Sequence, residues 1–105
     1  MIARRNGRAF ECVVVDINTQ WDFCEPAGAF PVANVHDLIP QLRHMIAWTK
    51  RNFAPLVSSI ESHRPFELSD SGYPIHCVDG SDGQRKLGFT IFPLHAWVEA
   101  DNTLT

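Results

Sequence analysis

A chain of 105 residues makes one domain and no more, and it can bury about two thirds of its unfolded surface, enough for a modest core without staples. Hydrophobic residues at 45% and charged residues at 20% exclude a disordered chain, while a net charge of −3 and a pI near 5.9 speak against nucleic-acid and anionic-membrane partners. No stretch approaches the roughly 20 apolar residues of a bilayer span, and three cysteines, an odd number, fit a reducing, cytoplasmic setting better than a disulfide framework.

Residues 1–9, with Arg4, Arg5, Arg8 and Gly7, read as a flexible, frayed arm. From Phe10 to Ile17 the chain is β-branched and nearly continuously apolar after Cys12, as in a strand of a parallel sheet covered on both faces. Cys12 is then expected in the core. Asp16 closes this strand. A carboxylate there must be desolvated or paired, which makes it a functional candidate, or else it caps the next loop by accepting backbone N–H bonds; the sequence leaves both open.

Asn18 to Val32 is a loop with interspersed aromatics that either wall a pocket or pack beneath the loop. Asn34 to Phe53 places Val35, Leu38, Ile39, Leu42, Met45, Ile46, Thr49 and Phe53 at a 3.6-residue period, an amphipathic helix. Asn34 or Asp37 is its N-cap, Pro40 argues for a start close by, and Lys50 and Arg51 suit its C-terminal dipole. Leu56 to Ile60 is a second strand. The right-handed crossover rule makes it parallel to the first and brings Asp16 and Glu61 to one edge. Phe89 to Leu94 and then His95 to Ala100 follow, and the latter is expected as a short third strand.

Glu61 and His63 leave an extended chain on the same face, and the loop to His76 is long enough to return a second imidazole to them. One carboxylate and two neutral imidazoles suit zinc or another divalent first-row ion with a position open for water or substrate. Solvated loop residues are the plain alternative.

Together these segments resemble the isochorismatase-like cysteine hydrolases, which include the nicotinamidases. The resemblance is carried by Val13-Val14-Val15-Asp16, Gln20-Trp21-Asp22-Phe23, Gly28-Ala29-Phe30-Pro31-Val32, Glu61-Ser62-His63 with Pro65, and Tyr73-Pro74-Ile75-His76-Cys77-Val78-Asp79-Gly80. It implies a three-layer α/β/α domain around a parallel sheet, of which this chain supplies the amino-terminal part, completed by a missing carboxyl-terminal half or by association with another copy. It implies that Asp16 is the general base for a nucleophilic cysteine, that Gln20 and Phe23 line the substrate pocket, and that Glu61, His63 and His76 hold the metal ion, zinc by preference. The implied substrate is a small carboxamide, cleaved through an acyl-enzyme.

The pattern departs from the family in four respects. Asp16 and Gln20 are separated by one dipeptide more than in the usual motif, which alters the loop that lines the pocket. Glu61 stands where aspartate is usual. The family's lysine is absent from the third strand, the only lysines being Lys50 and Lys86, on the helix and in a loop. None of Cys12, Cys24 and Cys77 replaces the nucleophile, whose place in the family lies beyond residue 105. A metal-free hydrolase of the same fold and a non-catalytic binding module are the competing readings.

Overall fold

The computed structural model describes residues 4–5, 8–9 and 11–98. Where the sequence suggests a frayed arm, Arg4–Arg5 (β1) pairs antiparallel with Arg8–Ala9 (β2). The organising unit follows. Val14–Ile17 (β3) runs parallel to Leu56–Ser59 (β4), in the register Val14↔Leu56 and Asp16↔Ser58, with the helix Val35–Arg51 (α2) as the crossover between them. Bonds from Val14 N to Pro55 O (2.9 Å) and from Asn18 N to Ser59 O (3.0 Å) extend the ladder at both ends. The result is a small α/β structure with a two-stranded parallel sheet.

The strand expected to be covered on both faces is covered on one. Asp16 points inward and is 5% exposed, whereas Val15 and Ile17 on the opposite face are 62% and 69% exposed. Val13 and Val57 continue that open apolar face. A continuous apolar run reports the tendency to be buried twice, but nothing among the described residues packs on the outer side. Cys12 is also exposed, not in the core, because the strand begins two residues after it.

Helix α2 keeps the predicted period and starts at one of the two predicted caps, but it stops short of Phe53. Asn34 holds the N-cap position at φ 60, without a side-chain cap bond. Pro40 falls in the second turn, not the first, so it deprives the His36 carbonyl of its i+4 donor. Phe53 leaves the stripe. It takes the left-handed conformation (φ 52) just past the helix while Ala54 N reaches back to Thr49 O, 3.1 Å away, a helix-closing turn ahead of Pro55. Val35, Ile46 and Thr49 are buried; Leu38 and Met45 belong to the predicted stripe yet remain exposed, so the helix is only partly roofed.

The third strand does not form among the described residues. Asp82–Gln84 and Gly88–Thr90 are single 3-10 turns, the first capped by Ser81 Oγ accepting from Gln84 N, and Val98 makes only a bridge. Residues 99–100 of the expected segment lie outside the described residues. Arg43 and Lys50 of α2 instead lie over the rings of Phe89 and Phe92, at 4.1 and 5.1 Å from their centroids, and tie this segment to the helix. No helix among the described residues is long and apolar enough to cross a membrane.

Candidate functional site

Two buried polar side chains set up the site. Gln20 is fully buried, and its amide is committed to backbone: Nε2 donates to Glu61 O and to Gln84 O, and Oε1 accepts from Glu61 N, each at 2.8 Å. The turn after β3 is thereby clamped to Glu61, two residues beyond β4. Asp22 sits on the one-turn helix Trp21–Cys24 (α1) and accepts from Ala29 N (2.9 Å) and Cys77 N (2.8 Å), drawing the segment around His76 against α1. Gly83 makes this possible, since a Cβ there would lie 2.0 Å from the Asp22 carboxylate.

His63 and His76 are joined by backbone. His63 N donates to Cys77 O (2.9 Å), and Asp79 N donates to His63 O (2.8 Å), a single parallel bridge across the long loop. Cys77 bends the chain in the left-handed region at φ 49. Glu61 Oε2 lies 2.9 Å from His63 Nε2 and 2.8 Å from His76 Nε2, and the three donor atoms fall within 4.8 Å of one another. The residues that the sequence singles out as metal ligands are thus brought together.

The donor set fits a divalent cation on its own chemistry. The outward nitrogen of His76, Nδ1, faces Pro74 O at 2.7 Å, and that of His63 faces the Glu67 carboxylate. Both partners can only accept, so both Nδ1 atoms carry protons. With neutral rings the two Nε2 lone pairs then point at an acceptor, Glu61, an arrangement that a cation reconciles and that otherwise requires two imidazolium ions. Donor-to-donor edges around tetrahedral zinc are about 3.4 Å, from bonds of about 2.1 Å, so each carboxylate–imidazole contact needs to lengthen by about half an ångström. Without a cation, the Glu67 carboxylate and then Glu61 hold the His63 pKa above the ordinary imidazole value. His76 is buried, its ring met edge-on by Phe30 at 4.9 Å and Phe23 at 5.3 Å between centroids.

Asp16 lies at the same strand edge but in a different setting. Its Oδ2 accepts from Lys86 Nζ (2.5 Å), Thr19 Oγ1 (3.0 Å) and Ser58 Oγ (3.3 Å), while its buried Oδ1 has no partner. All three donors are side chains, so these bonds are not those of a loop cap. Lys86 corrects the expectation that no lysine serves this site. It sits in a loop, yet Trp21 N donates to Arg85 O and Leu87 N to Thr19 O, both at 2.9 Å, and this bridge delivers Lys86 to Asp16. Lys86, Thr19, Asp22 and Glu67 are the site residues that sequence reasoning passes over. Only Glu67 leaves a local signal, an acid four residues after His63 behind a proline.

Asp16 opens on a cavity of about 440 Å³ between β3 and α2, shared with Thr19, Phe23, Cys24, Leu42 and Ile46. Phe23 belongs both to this cavity and to the wall around His76; the metal trio itself lies outside the cavity lining. The buried thiols are not activated. Desolvation raises the Cys24 pKa and pushes that of Cys77 up to about 12, Asp22 adding to the latter.

No known family profile matches the chain, and no curated protein matches it in sequence. A solved structure does. The chain is similar in structure to a pyrazinamidase. That protein, from Pyrococcus horikoshii and crystallised in complex with zinc, superposes with a TM-score of 0.62 and 26% sequence identity over 71% of this chain and 44% of its own. The present chain therefore spans less than half of the pyrazinamidase's length. The likeness supports an isochorismatase-like α/β fold and agrees with the trio of possible zinc ligands found here.

Proposed function

We propose that this chain carries the metal-holding and base-bearing part of an isochorismatase-like, nicotinamidase-type hydrolase of a small carboxamide, within a three-layer α/β/α arrangement that further strands complete. The observation that carries this reading is the register of β3 and β4. It sets a buried carboxylate with one unpartnered oxygen and a carboxylate–imidazole trio at one sheet edge, joined through the Gln20 amide. Similarity to a zinc-bound pyrazinamidase supports it.

In this reading Glu61, His63 and His76 hold zinc, which when bound supplies a Lewis acid to anchor a polar atom of the substrate. Asp16 Oδ1 is the proton acceptor, because Lys86, Thr19 and Ser58 saturate Oδ2 and leave the other oxygen toward the cavity. Phe23 supplies an apolar wall next to His76 and Asp16. Gln20 acts through the Glu61 backbone and not on substrate, being fully buried with both amide hydrogens committed to backbone. Cys24 and Cys77 remain neutral thiols and do not serve as the nucleophile, which favours a second reading of the isolated chain as a non-catalytic binding module.

Zinc titration of the metal-stripped protein tests the proposal. One ion should bind per chain, and His63→Ala and His76→Ala should each abolish binding. Absence of stoichiometric binding in the wild-type protein would sink it. Ammonia release from nicotinamide by the zinc-loaded chain is expected to be nil; a measurable rate would exclude the non-catalytic reading.

A further inference from the structure

The two imidazoles of the trio are secured differently from behind. His76 is buried between Phe23 and Phe30, and a backbone carbonyl fixes its Nδ1. His63 is only half-buried and has no such carbonyl. Its outward nitrogen meets the Glu67 carboxylate. We propose that Glu67 is a positioning residue of the metal site, accepting a hydrogen bond from His63 Nδ1–H so that the Nε2 lone pair is held toward Glu61 and His76. The inference rests on the metal reading above.

The loop is built to bring this about. Glu67 N donates to Arg64 O at 3.1 Å, closing a turn with Pro65 at its second position and Phe66 at its third, where φ is 68. That third position normally takes glycine or asparagine. Phe66 is 85% exposed, so burial does not compensate for its left-handed backbone. What the turn achieves is placement: Glu67 follows His63 by four residues and returns to the far side of its ring. From there the carboxylate contacts Nδ1, not Nε2, and in this arrangement it lies behind the imidazole and outside the trio of converging donors. A carboxylate behind a ligating imidazole fixes its tautomer and raises the basicity of the lone pair, an effect that typically changes metal affinity by ten- to a hundredfold.

The test compares the wild-type protein with Glu67→Gln and Glu67→Ala, stripped of metal and titrated with zinc against a chromophoric chelator. Cobalt(II) serves as a spectroscopic probe of the ligand set. Glu67→Ala should bind zinc roughly ten- to a hundredfold more weakly, and Glu67→Gln, which keeps an uncharged acceptor, should fall between. The cobalt absorption bands should stay in place in both variants, because the ligands are unchanged, and at a pH where His63 is neutral the melting temperature of the metal-free variants should match the wild type. Should Glu67→Ala not fold, Glu67→Gln carries the comparison. Wild-type affinity in the folded variants, with binding still lost in His63→Ala, would overturn the positioning role alone. Displaced cobalt bands would overturn it too, by making Glu67 a ligand. Failure of the wild-type protein to bind zinc overturns the metal reading and this inference together.

Discussion

Replacing Gln20 by methionine keeps its volume and removes every polar contact of its side chain. Three hydrogen bonds to backbone disappear, at 2.8 Å each, and they link elements 41 and 64 residues apart. At about 1 kcal/mol per bond the loss is about 3 kcal/mol, before any penalty for the Glu61 N–H left without its acceptor. That is a large share of the roughly 5–15 kcal/mol available to a domain of this size. Urea denaturation should show a lower midpoint at unchanged slope, and the melting temperature should fall by at least about 12 °C. Zinc affinity should fall as well, since the same amide fixes the backbone of Glu61. Gln20→Glu should be worse than methionine, because it turns a carboxylate oxygen toward two carbonyls that now receive a donor. If Gln20→Met melts within about 0.5 kcal/mol of wild type, Gln20 is not the clamp between the two halves of the site, and the account of how the edge is assembled fails.

Gly83→Ala should cost about 2–4 kcal/mol, because the new methyl group displaces the Asp22 carboxylate from the Ala29 and Cys77 N–H groups; a thermal melt indistinguishable from wild type would refute this. At pH 8 only Cys12 should react rapidly with a thiol reagent in the native protein, Cys24 and Cys77 becoming reactive on unfolding, since burial raises the pKa of both. Mass-resolved alkylation that finds a second fast thiol contradicts the environment assigned to it. The metal-free protein should lose stability as pH rises above about 6.5. The His63 pKa is raised in the folded state by Glu67 and Glu61, so its contribution is complete while the unfolded chain is also protonated and vanishes once the folded imidazole deprotonates. Zinc affinity should rise over the same interval as the competing proton leaves. Melts in chelator from pH 6 to 8 check the sign, and His63→Gln should flatten the trend.

The strand–helix–strand unit was legible because hydrophobic periodicity and the crossover rule are local and topological constraints: Asp16 and Glu61 do reach one edge. The trio was legible for the same reason, two ligands being two residues apart and the third separated by a loop of sufficient length. Lys86 was not, because its approach to Asp16 depends on a backbone bridge to Gln20 across 66 residues, and nothing in the residues around Lys86 encodes that pairing. Asp22 escaped for a similar reason. Its role appears only when Gly83 and Cys77 are brought to it. The third strand was misread because the run from His95 to Val98 is short, and short apolar runs do not reveal whether a neighbouring strand is there to receive them.

The ribbon formed by Val13, Val15, Ile17 and Val57 gives the isolated chain the surface of a protein caught midway through folding. Among the described residues its two strands also leave their outer main-chain edges open to any extended peptide nearby. In solution the chain should therefore behave as an adhesive body, taking up hydrophobic dyes and clustering as its concentration rises, until a complementary layer closes over that ribbon.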